Sequence, residues 1–209
     1  MKKLVFSFLT LFALSVMAKA ANDDSKYLAG AVPEENGIVT FKKSFTVSDK
    51  SAQEVSETMK AFVNGLVENS IPAPGNYARV LEDTNEGIAA RVCEWMVFKK
   101  KVLNLDRTRF RYQINVTFEN NRVTMTITNI TYYYGEDMEG NRGEIYKAEE
   151  WISDAEALNK TKTKLYPRSG KFRRFTVDRA EEIFDQAMDL FGTPEAVPAV
   201  KVRRGVVEN

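Results

Sequence analysis

Arg109, Arg111 and Gln113 stand at alternate positions of one strand-like run, so all three point the same way, and Lys42 sits in a second run with the same outward parity. Neighbouring guanidinium groups recognise carboxylate and phosphate through forked hydrogen bonds, so this set marks a candidate anion-binding face. A solvated strand face uses the same residue types, with acids such as Glu94 as cross-strand partners. Other chemistry is harder to build. The chain has no histidine, which removes Ser-His-Asp and Cys-His nucleophile systems and imidazole-ligated metals together. Cys93 is the single cysteine; with no base to activate it and no partner to oxidise it, it reads as a small buried hydrophobe.

Glu136, Asp137, Glu139, Asn141 and Glu144 form an oxygen-rich loop, but the spacing departs from that of a calcium loop and suits a solvated acidic turn. Gly135 and Gly140 have the glycine spacing of a phosphate loop, yet Asn141-Arg142 follows where Lys and Ser or Thr are required. No G-x-S-x-G or S-x-x-K motif provides a serine nucleophile after the first twenty residues. No cofactor or metal site is therefore expected, and paired carboxylates are the remaining route to catalysis.

The elements that position these residues follow from periodicity. Val39, Phe41, Phe45 and Val47 alternate with polar residues as one strand. Ser51 and Glu54 form a capping box, and Val55, Met59, Phe62 and Leu66 give the stripe of a helix ending near Asn69. Tyr77 to Leu81 and Ile88 to Phe98 read as strands, the second changing parity at a bulge near Cys93 and Glu94. Arg109 to Phe118 alternates cleanly, turns at Asn120-Asn121, and returns from Val123 to Tyr134, with Tyr133 on the side of Val123 and Met125. After an irregular excursion over 135 to 170, with a short helix from Ser153 to Leu158, Asp178 and Glu181 cap a last helix that ends at Gly192 and Pro194. Two helices with single apolar stripes and strands with a single apolar face imply an α+β two-layer sandwich: a five-stranded antiparallel sheet carrying both helices on one side. The other face, including Thr40, Lys42, Ser44, Arg109, Arg111, Gln113, Asn115, Thr124 and Thr126, is left for water, ligand or partner.

Met1-Lys2-Lys3, the apolar run Leu4 to Val16, and Ala18-Lys19-Ala20 read as a signal peptide cleaved after Ala20. Losing Lys2, Lys3 and Lys19 turns the balance of 30 basic and 29 acidic residues slightly acidic. Cys93 is too far from the cleavage site to carry a lipid, so a periplasmic or secreted protein is expected, not a lipoprotein. Expected boundaries are a signal over 1–20, a flexible leader over 21–36, one domain over 37–192, and a tail over 193–209. The signal, the Val32-Pro33 and Gly37 lead into Val39-Thr40-Phe41, the Ser51 helix, the four-strand meander and the helix to Phe191 resemble domain of unknown function 4468, a family of secreted Bacteroidota proteins. The resemblance implies a fold like that of the TATA-binding protein and brings no catalytic residues.

The functional expectation is a non-enzymatic binding domain for an envelope protein or small ligand, presenting its polar sheet face. The alternative is a carboxylate-dependent hydrolase acting on an envelope or extracellular glycan. Nucleic acid is not expected, because alternation sends the rings and charges of Arg109-Phe110-Arg111-Tyr112 to opposite faces, and neither is a membrane span in the mature chain.

Overall fold

The computed structural model describes residues 23–66, 75–101, 104–119, 121–136 and 142–192. The expected signal peptide over 1–20, the expected tail over 193–209, Asn69, Pro72, Pro74, Asn120 and Asp137, Glu139 and Asn141 of the acidic loop lie outside these residues. Strands β1 (Glu34–Glu35) and β2 (Ile38–Val39) form a hairpin ahead of β3 (Phe41–Thr46) and helix α1 (Ala52–Gly65). Next come β4 (Tyr77–Asp83), β5 (Gly87–Lys101), β6 (Asn104–Glu119), β7 (Arg122–Tyr134), β8 (Glu144–Lys147), α2 (Asp154–Ala157) and α3 (Pro167–Asp189). The main sheet runs β3-β7-β6-β5-β4, and β8 also pairs with β7. All pairings are antiparallel. The two-layer expectation therefore holds with six strands instead of five, and the short helix expected from Ser153 to Leu158 is α2.

The core lies on one side of the sheet. Ile114, Val116, Val123, Met125 and Ile127 are buried, as are Met59 and Val63 of α1 and Phe172, Ile183 and Ala187 of α3, and all belong to one core. Phe172 stands at the centre of an aromatic cluster, with ring centroids 4.6 Å from Phe98, 5.1 Å from Tyr132 and 5.2 Å from Tyr134. Edge-to-face pairs of this kind add to simple burial. The capping box at α1 forms as its spacing predicts: Ser51 Oγ accepts from the Glu54 amide at 3.3 Å, and Glu54 Oε2 accepts from the Ser51 amide at 2.8 Å.

Four expectations need correction. The bulge is not at Cys93 and Glu94, where pairing with Arg111 and Phe110 is regular; the β5–β6 register shifts between Val97 and Lys99. Glu94 consequently points to the helix side, and Cys93 is buried on the opposite side between its cross-strand neighbours Tyr77 and Arg111. A second register shift, in β7 opposite Tyr112, places Asn129 at φ 52° and reverses the inward parity from Val123, Met125 and Ile127 to Ile130 and Tyr132. Tyr132 is therefore the core residue, and Tyr133 faces the other way. The last helix begins at Pro167, a favoured first position, so Asp178 and Glu181 lie within it and do not cap it.

From Asp23 the presumed leader is held against the domain. Arg173, fully buried, donates to the carbonyls of Tyr27, Leu28 and Ile152 at 2.6–2.7 Å and to Asp154 Oδ1 at 2.6 Å. Asp154 also accepts from the Gly30 amide at 3.0 Å, and Arg174 makes a forked pair with Asp24 at 2.6 and 2.7 Å. The Arg174 hydrogen bonds hold Asp24 below the ordinary carboxylate value of 3.8. At Asp154, burial works against ionisation, but Arg173 and the Gly30 amide outweigh it and lower the value as well. Carboxylates depressed by folding stabilise fully above their unfolded value and lose that contribution as pH falls through the folded one. Thermal midpoints should hold steady above about pH 4 and drop below it, with Asp154→Asn flattening that acid limb. Because Asp154→Asn leaves a buried guanidinium without its counter-charge, it should also cost about 3 kcal/mol in denaturant titration at neutral pH.

Candidate functional site

On the open face the odd positions of β5 and β6 bring a cluster of arginines together. Arg109 lies opposite Trp95, Arg111 opposite Cys93, Gln113 opposite Arg91, and Arg91 opposite Arg79 of β4. The guanidinium carbons of Arg107 and Arg109 lie 3.6 and 4.3 Å from the centroid of the Trp95 ring. Stacking on indole holds a guanidinium in place by cation–π attraction. Arg109 Nε also donates to Glu136 at 2.6 Å. Its Nη1 lies so near Gly75 that a Cβ there would sit 2.1 Å away. Arg111 lies 5.8 Å from the centroid of the Tyr133 ring, which the Asn129 bulge has turned to this face, and its buried Nε finds no hydrogen-bond partner among the described residues.

The four residues singled out by sequence divide between three environments. Arg109 and Arg111 share one cluster. Gln113 adjoins it, but its amide is engaged, donating to Asn115 at 2.8 Å and accepting from Asn129 at 3.1 Å. Lys42 is exposed on β3, and its row meets β6 at Asn115, about 20 Å along the strand from Arg109 at ~3.4 Å per residue. Arg79, Arg91, Arg107, Trp95 and Tyr133 complete the cluster and were not anticipated. The rings of Phe110 and Tyr112 are buried away from the charges, as alternation requires, but Trp95 and Tyr133 come from other strands and stand among them. Glu136 serves Arg109, and Glu144 serves the Tyr146 hydroxyl. No group of metal-ligating side chains occurs among the described residues.

The sheet's other face carries a trough of about 1080 Å³ between α1 and α3. Glu94 lies in its wall, 5 % exposed, and takes a forked pair from Arg179: Nε to Oε1 at 2.9 Å and Nη2 to Oε2 at 3.0 Å. Arg179 Nη1 also binds Glu182 at 2.8 Å, and the Tyr112 hydroxyl donates to Glu94 at 3.3 Å. Burial opposes the charge on Arg179, but the Glu94 hydrogen bonds and charge prevail and push the guanidinium above its ordinary value. Burial, reinforced by the Glu94 charge, likewise keeps the Tyr112 phenol protonated well above its usual range. Glu94 was expected as a partner of the arginine face; it serves this ion pair instead, because β5 stays in register there.

A family-wide sequence profile described as "Domain of unknown function (DUF4468) with TBP-like fold" matches residues 41–133. The crystal structure of a DUF4468 family protein from Bacteroides ovatus is 36 % identical, covers 85 % of this chain and all of its own, and superposes with a TM-score of 0.72. A TBP-like protein from Parabacteroides distasonis is similar in fold at 20 % identity, with a TM-score of 0.61 over 79 % of this chain and 99 % of that one. Curated proteins provide no match.

Removing one partner of the buried pair should be far worse than removing both. Arg179→Ala leaves the Glu94 charge uncompensated and should cost about 3–5 kcal/mol, whereas Glu94→Leu with Arg179→Met should recover most of that loss in urea denaturation. Additive losses in the double variant would refute the coupling.

Proposed function

The chain belongs to the DUF4468 family, and from that premise we propose that it is an exported, non-enzymatic binding domain that captures an anionic ligand on its open sheet face. The observation that carries this reading is the Arg107, Trp95 and Arg109 stack, with Arg111 beside it. Guanidinium groups fixed by a ring lose little further freedom when an anion arrives, so more of their interaction appears as affinity. The ligand chemistry that fits is carboxylate, sulfate or phosphate, each able to accept forked N–H bonds. Because the Trp95 ring is occupied by guanidinium groups, it supports charge recognition better than stacking against a base or a sugar.

A glycan hydrolase built on paired carboxylates finds less support. Three of the four carboxylates that line the trough are already engaged: Glu94 and Glu182 with Arg179, and Asp178 with Lys26 at 2.7 Å. Paired-carboxylate hydrolysis needs two carboxyl groups facing each other across the scissile bond, and these three are committed to cations instead. Export rests on the signal sequence. No helix among the described residues is long and apolar enough to cross a membrane.

Two measurements test the reading. The Arg109→Ala, Arg111→Ala variant should elute from immobilised heparin at markedly lower salt than the parent, with a shallower dependence of affinity on salt concentration. Equal elution would refute the assignment. Expression in a Bacteroidota host should yield a cell-envelope or medium product whose first residue is Ala21, and a cytoplasmic, unprocessed chain would refute export.

A further inference from the structure

The trough between α1 and α3 lies on the far side of the sheet from the arginines, so its occupant is distinct from the anionic ligand. Its volume, about 1080 Å³, reaches the upper end of the ~300–1,000 Å³ usual for small-molecule sites, which favours a larger partner. Phe62, Met96 and Phe110 contribute apolar lining, and Phe175 and Leu190, 38 % and 46 % exposed, extend it to the surface. Isolated exposed apolar groups are ordinary, but two that continue into an apolar trough form a contiguous recognition surface.

Charge says what kind of partner fits. Four carboxylates line the trough, those of Glu94, Asp178, Glu182 and Asp189, against one cationic side chain, Arg179. Arg179 is shared between Glu94 and Glu182, so that group retains net negative charge. No side-chain ion pair among the described residues engages the Asp189 carboxylate. An anionic occupant would be repelled, and a neutral one would leave the carboxylates uncompensated where it excludes water. The two walls are helices, the arrangement in which an apolar segment is received in helix-in-groove recognition.

We propose that the trough between α1 and α3 is a docking site for an apolar peptide segment of a partner protein that carries lysine or arginine at its edges. The apolar side chains settle over Met96 and Phe110, and the cations meet Glu182 and Asp189. The probe is a fluorescein-labelled amphipathic peptide of about 14 residues made of leucine and lysine, compared with a leucine and glutamate peptide of the same pattern. Fluorescence anisotropy at ~0.15 M salt should show saturable binding of the lysine peptide, with at least about tenfold weaker binding of the glutamate peptide. Ala61→Trp, at an exposed position of α1 that lines the trough, should weaken the lysine peptide about tenfold by filling the space. Glu182→Lys with Asp189→Lys should do the same by reversing the charge, while Arg107→Ala with Arg109→Ala leaves it unchanged. Circular dichroism melts of each variant should match the parent. Equal binding of the two peptides, no binding of the lysine peptide, or indifference to Ala61→Trp overturns the proposal. If removal of residues 193–209 instead raises lysine-peptide affinity tenfold or more, the chain's own C-terminal segment is the occupant and the partner reading is overturned.

Discussion

One residue in excess of the ladder governs how the two faces of this sheet differ. At Asn129 the β7 backbone takes a left-handed conformation that asparagine tolerates better than most side chains, and the strand continues with its parity reversed. Before that point β7 pairs with β3, and beyond it with β8. A straight β7 would direct Tyr133 into the core and Tyr132 toward the arginines. The bulge instead lets Tyr132 pack on Phe110 and Phe172, with centroids at 5.8 and 5.1 Å, and delivers Tyr133 to Arg111. Core packing and the candidate site therefore depend on the same local geometry.

The same bulge explains the limits of sequence reading here. β6 was legible because nothing interrupts its alternation, so the common direction of Arg109, Arg111 and Gln113 followed from a period of two alone. β7 was misread beyond Asn129 because periodicity counts residues, whereas facing depends on backbone conformation. Glu94 was misread in the opposite sense: a buried carboxylate resembles an interruption of an apolar face until its partner is known, and that partner, Arg179, is 85 residues away. The arginine cluster was only half legible for a related reason. Arg79, Arg91 and Arg107 join it through cross-strand register, which no single run of sequence displays.

Two local signals in the sequence mark structure that hydrophobic periodicity does not display. Asn36-Gly37 has the chemistry of a two-residue hairpin turn, both residues take positive φ, and β1 pairs with β2 around them. Pro167 marks a helix start, which places Phe172 inside α3 and makes its burial an ordinary result of helical facing. Arg173 has no comparable signature. A fully buried arginine is improbable from sequence, and this one is stable because three carbonyls and a carboxylate replace its water.

Arg173 also bears on the order of events during synthesis. The carbonyls it captures belong to residues 27, 28 and 152, so the first segment of the domain is fastened by its last long helix. A nascent chain that lacks α3 has neither this fastening nor the Phe172 centre of the aromatic cluster. The domain then stays open until nearly all of it has been made. Completion of the fold therefore waits on the helix that is synthesised last among the described elements.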